Sequence, residues 1–365
     1  MKRTNTAQWY DKQKHWQIKV QKNGVRKSFY SSTPGRAGQR EANAKADAWL
    51  DEGLESTATK VSAVFDKYLV KVKEEKSHSA YVQTEKYYRL YIKPCIGTLK
   101  LSSLTDTDIQ AVIDTAYKKR GLSAKTLKNL RSELSLFLKD CRKKHLTTLS
   151  TADIDIPKNA AAPNHTILQP TDLKTLFSES SIIKYNKEIQ DPYIFAYRWA
   201  VVTGMRPGEI CGLRWSDISD NFVEIKRSIN VYGETTSGKN SNALRKFAVT
   251  PIAAHILESQ KEYQREKKIS TDYVFSDDAE PLPERRYYKS WLRYKEQHEI
   301  ADASPYELRH TFVSAIKGLP EGLLKQLVGH SKDMDTYGVY SHEIDGDKEL
   351  AAALVNDVFS KLLTG

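Results

Sequence analysis

Five residues of types that act on phosphate stand at ordered intervals in this chain: Arg206 in TGMRPGEICGLRW, Lys239 in SGKNSNALRK, Arg309 in SPYELRHTF, His330 in LVGHS and Tyr340 in YGVYSH. Two guanidiniums, an ammonium and an imidazole can surround one phosphodiester and offset the charge that builds on it, while a phenolic oxygen attacks the phosphorus. Such a set performs phosphoryl transfer without metal or nucleotide. In keeping with that, the sequence offers no Walker loop, no acidic metal triad and no metal-ligand spacing, so no cofactor and no metal site is expected.

These residues need elements to aim them. DPYIFAYRWAVVTG reads as a buried helix running straight into Arg206. Pro207 suits the first turn of a following helix, whose N-terminal amides would add partial positive charge beside a phosphate. Glu209, three residues past Arg206, can hold that guanidinium by a charge-assisted pair, a role in orientation rather than acid–base chemistry. A β-rich insert follows, in which FVEIKRSINVYG and LRKFAVTP flank TTSGKNSNA; Lys226 and Lys246 fall in strand-like runs and Lys239 at the turn beside Gly238. Two tyrosines, Tyr337 and Tyr340, compete as the nucleophile. His310, beside Arg309, reads as a helix-packing histidine.

The chain has 365 residues, enough for two or three domains with their own cores. Lys+Arg 57 against Asp+Glu 46 gives a formal +11, so the expected partner is a polyanion, nucleic acid before an anionic membrane. No apolar run has the length of a signal segment or a membrane span, which points to a soluble protein that stays in the cytoplasm. Three scattered cysteines, Cys95, Cys141 and Cys211, suit a reducing compartment and read as small buried apolar residues.

Three blocks separate along the chain. Residues 1–53 hold strand-like runs divided by the Asn23-Gly24 hairpin signal, then a helix with Ala42, Ala46, Trp49 and Leu50 on one stripe and Gly53 as its cap. Eleven Lys/Arg against five Asp/Glu leave this block a net +6, more than half of the chain's formal charge. A small sheet module that lies in a DNA major groove explains the asymmetry, with Lys19, Arg26 and Lys27 as its candidate contacts. Residues 58–152 carry a 3.6-residue apolar period, as in Val64, Phe65, Tyr68, Leu69 and Val72, and predict a four- or five-helix bundle. Caps are expected at Ser103-Leu104-Thr105-Asp106 and at Ser123. Lys86, Arg89, Lys125, Lys128 and Arg131, interleaved with Tyr87, Tyr88, Tyr91 and Tyr117, are its candidate DNA contacts. Residues 151–166, with two prolines and a run of three alanines, read as a linker into a third block over 166–365.

The order and spacing of these motifs resemble the tyrosine recombinases, and more narrowly the integrases of phages and integrative conjugative elements; the resemblance runs from about residue 5 to the C-terminus. IKPCIGTLKLSSLTDTDIQ followed by GLSAKTLKNLRSELS is similar to the family's core-binding domains, and the N-terminal pattern to its arm-type domains. The resemblance implies a multidomain α+β fold: a small N-terminal β-sheet plus helix, an all-α core-binding bundle, and a mainly α catalytic domain with a small antiparallel sheet. It implies that Lys239 protonates the departing 5′ oxygen, that His330 bonds the scissile phosphate, and that Tyr340, which satisfies the family's Tyr-x-His pattern in Tyr340-Ser341-His342, forms a 3′-phosphotyrosyl linkage. Tyr306 stands where the family commonly has histidine, and a phenol can donate to a phosphate but carries no positive charge. The expected partners are double-stranded DNA at core and arm-type sites, sister protomers in a homotetramer, and auxiliaries such as an excisionase or a host DNA-bending protein, all at a bacterial nucleoid. The final segment has a broad apolar face, Leu350, Leu354, Val358 and Leu362 beside Ala351, Val355, Phe359 and Leu363, which the family docks on a neighbouring subunit. A Xer-like resolving recombinase would lack residues 1–53, a type IB topoisomerase would need no specific site, and a catalytically silent DNA-binding regulator would form no covalent adduct.

Overall fold

The computed structural model describes residues 6–22, 25–51, 59–162, 165–219, 221–236, 244–328 and 346–364. It divides into two compact units, Met1–Pro163 and Asn164–Gly365.

The first unit begins with an antiparallel sheet of β1 (Gln8–Tyr10), β2 (His15–Lys22) and β3 (Val25–Ser31), covered by α1 (Gly35–Asp51). Lys22 pairs with Val25, so two residues join the strands, as the Asn23-Gly24 signal requires, although that turn and Gly53 lie outside the described residues. Side chains alternate across a strand. Ile18, Val20 and Phe29 therefore face α1 and pack with its buried Ala42 and Ala46. The opposite face presents Gln17, Lys19 and Gln21 against Tyr30, Ser28 and Arg26. Lys27 pairs with Val20 and so belongs to the helix-side face, where its ammonium lies 5.5 Å from the Phe29 ring and 5.8 Å from that of Trp49. Its two companions stand on the open face without it.

The bundle consists of α2 (Val61–Glu75), α3 (His78–Tyr87), a π-helical turn Tyr88–Ile92, α4 (Lys93–Ile96), α5 (Asp106–Arg120) and α6 (Ala124–Lys143). Thr105 caps α5 in a reciprocal box with Asp108, and the Ser123 hydroxyl accepts from the Thr126 amide at the start of α6. Phe65 is the centre of the core, stacked on Tyr88 at 4.3 Å and packed on Phe137 at 4.5 Å. Tyr87, Tyr88 and Tyr91 are all buried, so these three rings build the core rather than reach for a ligand. The stretch read as a linker from residue 151 packs on this same core through Ile154, Ile156 and Ala160. Polar bonds hold it there: Arg131 donates to the Ile154 carbonyl at 2.9 Å, the Asp155 amide to Gln110 at 2.8 Å, and Tyr117 to the Asn159 carbonyl at 3.2 Å. Alanine and proline composition signals a lack of helix, not a lack of contacts.

The second unit is built around α8 (Ile194–Thr203), buried on nearly all sides, whose Trp199 and Tyr197 are fully enclosed. Around it lie α7 (Pro170–Ser178), the hairpin β4 (Ser181–Lys184) and β5 (Lys187–Gln190), and α9 (Pro207–Gly212). Small antiparallel pairs follow, β6 (Phe222–Ile225) with β9 (Arg245–Ala248) and β7 (Ser228–Ile229) with β8 (Thr235–Thr236). Then come α10 (Pro251–Glu266), α11 (Glu284–Gln297), α12 (Pro305–Ala315), α13 (Glu321–Val328) and a last helix, Asp347–Thr364. That last helix packs on its own unit: Val355 and Phe359 enter the core, Phe359 stacks on Phe312 at 6.2 Å, and Asn356 accepts from the Ile252 amide. The face the sequence reserved for a neighbour is thus partly spent within the unit, leaving Leu350 at its rim exposed. Among the described residues, no helix is long and apolar enough to cross a membrane.

Candidate active site

The site begins where α8 ends. Gly204 terminates that helix in the left-handed region, φ 62°, and a Cβ there would stand 2.2 Å from the Phe312 ring on α12, so both backbone and packing demand glycine. Two residues on, Arg206 precedes α9, and Pro207 occupies the first helical position. α9 is held close to the small sheet, since a Cβ on Gly208 would lie 2.5 Å from the Ile229 carbonyl oxygen. The sequence suggested that the amides of this helix would attract a phosphate. In the structure the helix has six residues, and the Arg206 amide already donates to Glu209 Oε2 at 2.9 Å, so the end of the helix is internally capped.

Glu209 is the hub. Its Oε1 accepts from Arg206 Nη1 at 2.7 Å and from Arg245 Nη1 at 3.0 Å, and its Oε2 accepts from Arg245 Nη2 at 3.0 Å besides the Arg206 amide. Burial pushes its pKa up, but Arg245 and Arg206 outweigh that, and the carboxyl sits below the ordinary range. The Arg206 side chain is 32 % exposed and that of Arg245 6 %. One arginine faces outward from the hub and the other is sealed within it. Arg245 lies in the strand-like run LRKFAV, where nothing local marks it as a site residue; the alternation of that strand, with Phe247 inward and Lys246 outward, also turns Arg245 inward.

Arg309 reaches the same place from α12, where it is buried and donates to the Gly204 carbonyl at 2.6 Å, two residues before Arg206. Burial, with Arg206 and Arg245 as like charges nearby, lowers its pKa to about 10. Tyr306, three residues earlier on α12, is 47 % exposed and meets the His310 ring edge-on at 5.4 Å. His310 also packs against His165 at 4.5 Å, and burial together with His165 lowers its pKa. The start of α12 is fixed by Glu307, which accepts from the Ser304 amide at 2.6 Å and the Thr166 amide at 3.0 Å.

Lys239, His330, Tyr337 and Tyr340 lie outside the described residues. Of the other two lysines of the insert, Lys226 pairs with Glu224 at 3.1 Å and Lys246 lies over the Phe222 ring at 4.3 Å. Among the candidate contacts of the bundle, Lys86, Lys125 and Lys128 are exposed, and Arg89 is exposed but paired with Glu85 at 3.1 Å. Arg131 is the exception, half-buried and bonded to the Ile154 backbone, which makes it a tether for the following segment and not a free contact.

Two guanidiniums thus come to the turn that ends α8, Arg206 held by Glu209 and Arg309 bonded to the Gly204 carbonyl. The phage integrase family model matches residues 167–346, and the model of the phage integrase N-terminal SAM-like domain matches residues 60–117, together well over half of the chain. The chain belongs to the phage integrase family. It is accordingly an enzyme of the tyrosine recombinase class, and among its relatives are a tyrosine recombinase XerC-like protein of Caldanaerobacter subterraneus, 24 % identical and covering 92 % of both chains, and the ICEBs1 integrase of Bacillus subtilis, 22 % identical over 92 % of this chain and 93 % of that one. This integrase shares its fold with the Tn1549 transposon integrase solved with a circular intermediate DNA, at TM-score 0.61, 16 % identity, and coverage of 80 % of this chain and 98 % of that one. A lambda integrase tetramer bound to a Holliday junction matches at TM-score 0.59 and 16 % identity over 94 % of this chain and 99 % of that one. The multidomain α+β class and the integrase resemblance both hold.

Proposed function

We propose that this integrase cuts and rejoins duplex DNA at specific sites, to integrate and excise a mobile element, by way of a phosphotyrosine formed on Tyr340. The observation that carries the reading is the bond from Arg309 to the Gly204 carbonyl, which brings the second arginine to the turn that bears Arg206. In the first step the Tyr340 phenolic oxygen bonds to phosphorus, its proton leaves, and the bond to the 5′ oxygen breaks. That oxygen takes a proton, from Lys239 in this reading, and becomes a free 5′ hydroxyl. One phosphodiester is exchanged for another, so a 5′ hydroxyl from a partner strand reverses the step with no external energy source. Arg206 and Arg309 bind the nonbridging oxygens and offset the charge of the five-coordinate phosphorus, with His330 and the Tyr306 hydroxyl as further donors.

The three blocks then divide the labour. Residues 1–53 bind arm-type DNA through Lys19 and Arg26, residues 58–152 grip the core site through Lys86, Arg89, Lys125 and Lys128, and residues 166–365 carry the chemistry. Four copies assemble on two duplexes, with an excisionase or a host DNA-bending protein setting direction. The test uses duplexes bearing the direct repeats that flank the gene. Wild type and Tyr337→Phe form a covalent protein–DNA adduct, whereas Tyr340→Phe binds the same duplex and forms none, because the change removes one oxygen and keeps the ring. An adduct in Tyr340→Phe, or none in any protein, refutes the proposal.

A further inference from the structure

We infer that Arg245 is a positioning residue for the strand-transfer reaction: it locks Glu209 so that Arg206 meets the phosphate in one orientation, and it ties the end of α13 to the same lock. This rests on the reading of Arg206 as a phosphate ligand.

A carboxylate has about four lone-pair positions, and in Glu209 all four are taken, two by Arg206 and two by Arg245. The contact from Arg245 is two-pronged, one nitrogen to each oxygen at 3.0 Å, a geometry that fixes the plane of the carboxylate as a single ammonium cannot. With that plane fixed, the Arg206 amide and Nη1 have one arrangement in which both reach their oxygens. The third donor of Arg245, Nε, bonds the Leu327 carbonyl at 3.2 Å, in the last turn of α13. His330 follows Leu327 by three residues in the sequence. One buried guanidinium therefore joins the carboxylate behind Arg206 to the helix that leads to the family's histidine. With its side chain 6 % exposed, Arg245 has no surface to offer the DNA, and its charge acts through Glu209.

The test compares wild type, Arg245→Lys and Arg245→Gln in the full chain, by two readouts. Hydrogen exchange at the Arg206 amide, which needs no DNA, reports the lock itself: it accelerates by about tenfold or more in both variants while exchange in the α8 core stays slow. Single-turnover attachment to the flanking-repeat duplex reports the consequence: the rate falls by about 100-fold, as for a misplacement of a contacting group, while affinity for the same duplex stays within about threefold. In a Glu209→Gln background, Arg245→Lys adds little further loss, since both changes break one lock. Unchanged exchange at Arg206 in a folded variant overturns the inference, as does a wild-type attachment rate in a variant whose exchange has risen. Faster exchange alongside a wild type that forms no adduct leaves the lock standing and refutes the recombinase reading instead. Should Arg245→Gln fail to fold, Arg245→Lys, which keeps the charge and most of the volume, carries both readouts.

Discussion

Replacing Glu209 by glutamine changes one atom and removes the charge that the hub is built on. Each carboxylate oxygen accepts two N–H groups, so whichever position becomes the amide nitrogen confronts two donors with a donor. Two charge-assisted bonds are lost, each worth about 1.5–3 kcal/mol, and two guanidiniums lose the anion between them. Breaking a buried pair by removing one partner costs about 3–5 kcal/mol, and with Glu209 3 % exposed little solvent screening reduces that. In a unit of this size about 2–4 °C of melting temperature accompanies each kcal/mol, so Glu209→Gln melts roughly 10 °C below wild type at pH 7. The pH dependence identifies the cause. Because the folded pKa of Glu209 lies below its ordinary value of 4.5, its contribution is complete above that value and is lost as the pH falls through the folded pKa. The gap between wild type and variant therefore stays constant from neutral pH down to about 5 and closes only in stronger acid. Thermal unfolding followed by circular dichroism across pH 3–8 tests this. A variant melting within about 2 °C of wild type at pH 7, or a gap that closes between pH 7 and 6, refutes the assignment of the hub.

The remaining expectations concern other parts of the chain. Asp191, fully buried, has its pKa pushed up to about 6 by burial, so its favourable state is the neutral one; stability falls as pH rises from about 4 through 6, by about 3 kcal/mol, and Asp191→Asn flattens that slope in denaturant titrations at pH 4.5 and 7. Lys19→Ala and Arg26→Ala each reduce the salt slope of arm-site binding by about 0.9, whereas Lys27→Ala, on the helix-side face, leaves it unchanged; equal effects from all three disprove the two-face assignment. Phe359→Ala destabilises the second unit by about 3–5 kcal/mol because the ring is buried against Phe312, and a calorimetric loss under 1 kcal/mol contradicts packing within the unit.

What was legible in the sequence was local. Gly204, Arg206, Pro207 and Glu209 lie within six residues, so a turn, a helix start and an i,i+3 pair could be read from spacing alone. Thr105 and Ser123 announced their helices for the same reason: a cap is a short-range hydrogen bond. What could not be read depended on partners far along the chain. Arg245 is 36 residues from Glu209, Arg131 is 23 from Ile154, and nothing near either arginine tells a buried cation from a wet one. The hairpin around Tyr185 and Asn186, both at positive φ, leaves little mark on the sequence, since its strands are four residues each and Tyr185, first at the turn, is not a turn former. Lys27 was a matter of parity: the composition of the sheet was right, but its face follows from the pairing with Val20.

The two site arginines are held in opposite ways, and the difference bears on how the site meets its substrate. Arg206 is paired with Glu209, but it shares that one carboxylate with Arg245, so the group keeps a net positive charge. Arg309 is buried and bonded to the Gly204 carbonyl, and burial with Arg206 and Arg245 nearby lowers its pKa to about 10, against the opposing pull of Glu209. At neutral pH it remains protonated. In the proposed reaction a phosphate beside it would offset both the burial and the like charges, the more so as negative charge accumulates on the nonbridging oxygens. There Arg206 would supply an aimed contact and Arg309 a second, buried guanidinium for the same phosphate. In that reaction a lysine at 309 would keep the charge but, with its single nitrogen, would lack the planar fork that lets one side chain bond the Gly204 carbonyl and a phosphate together.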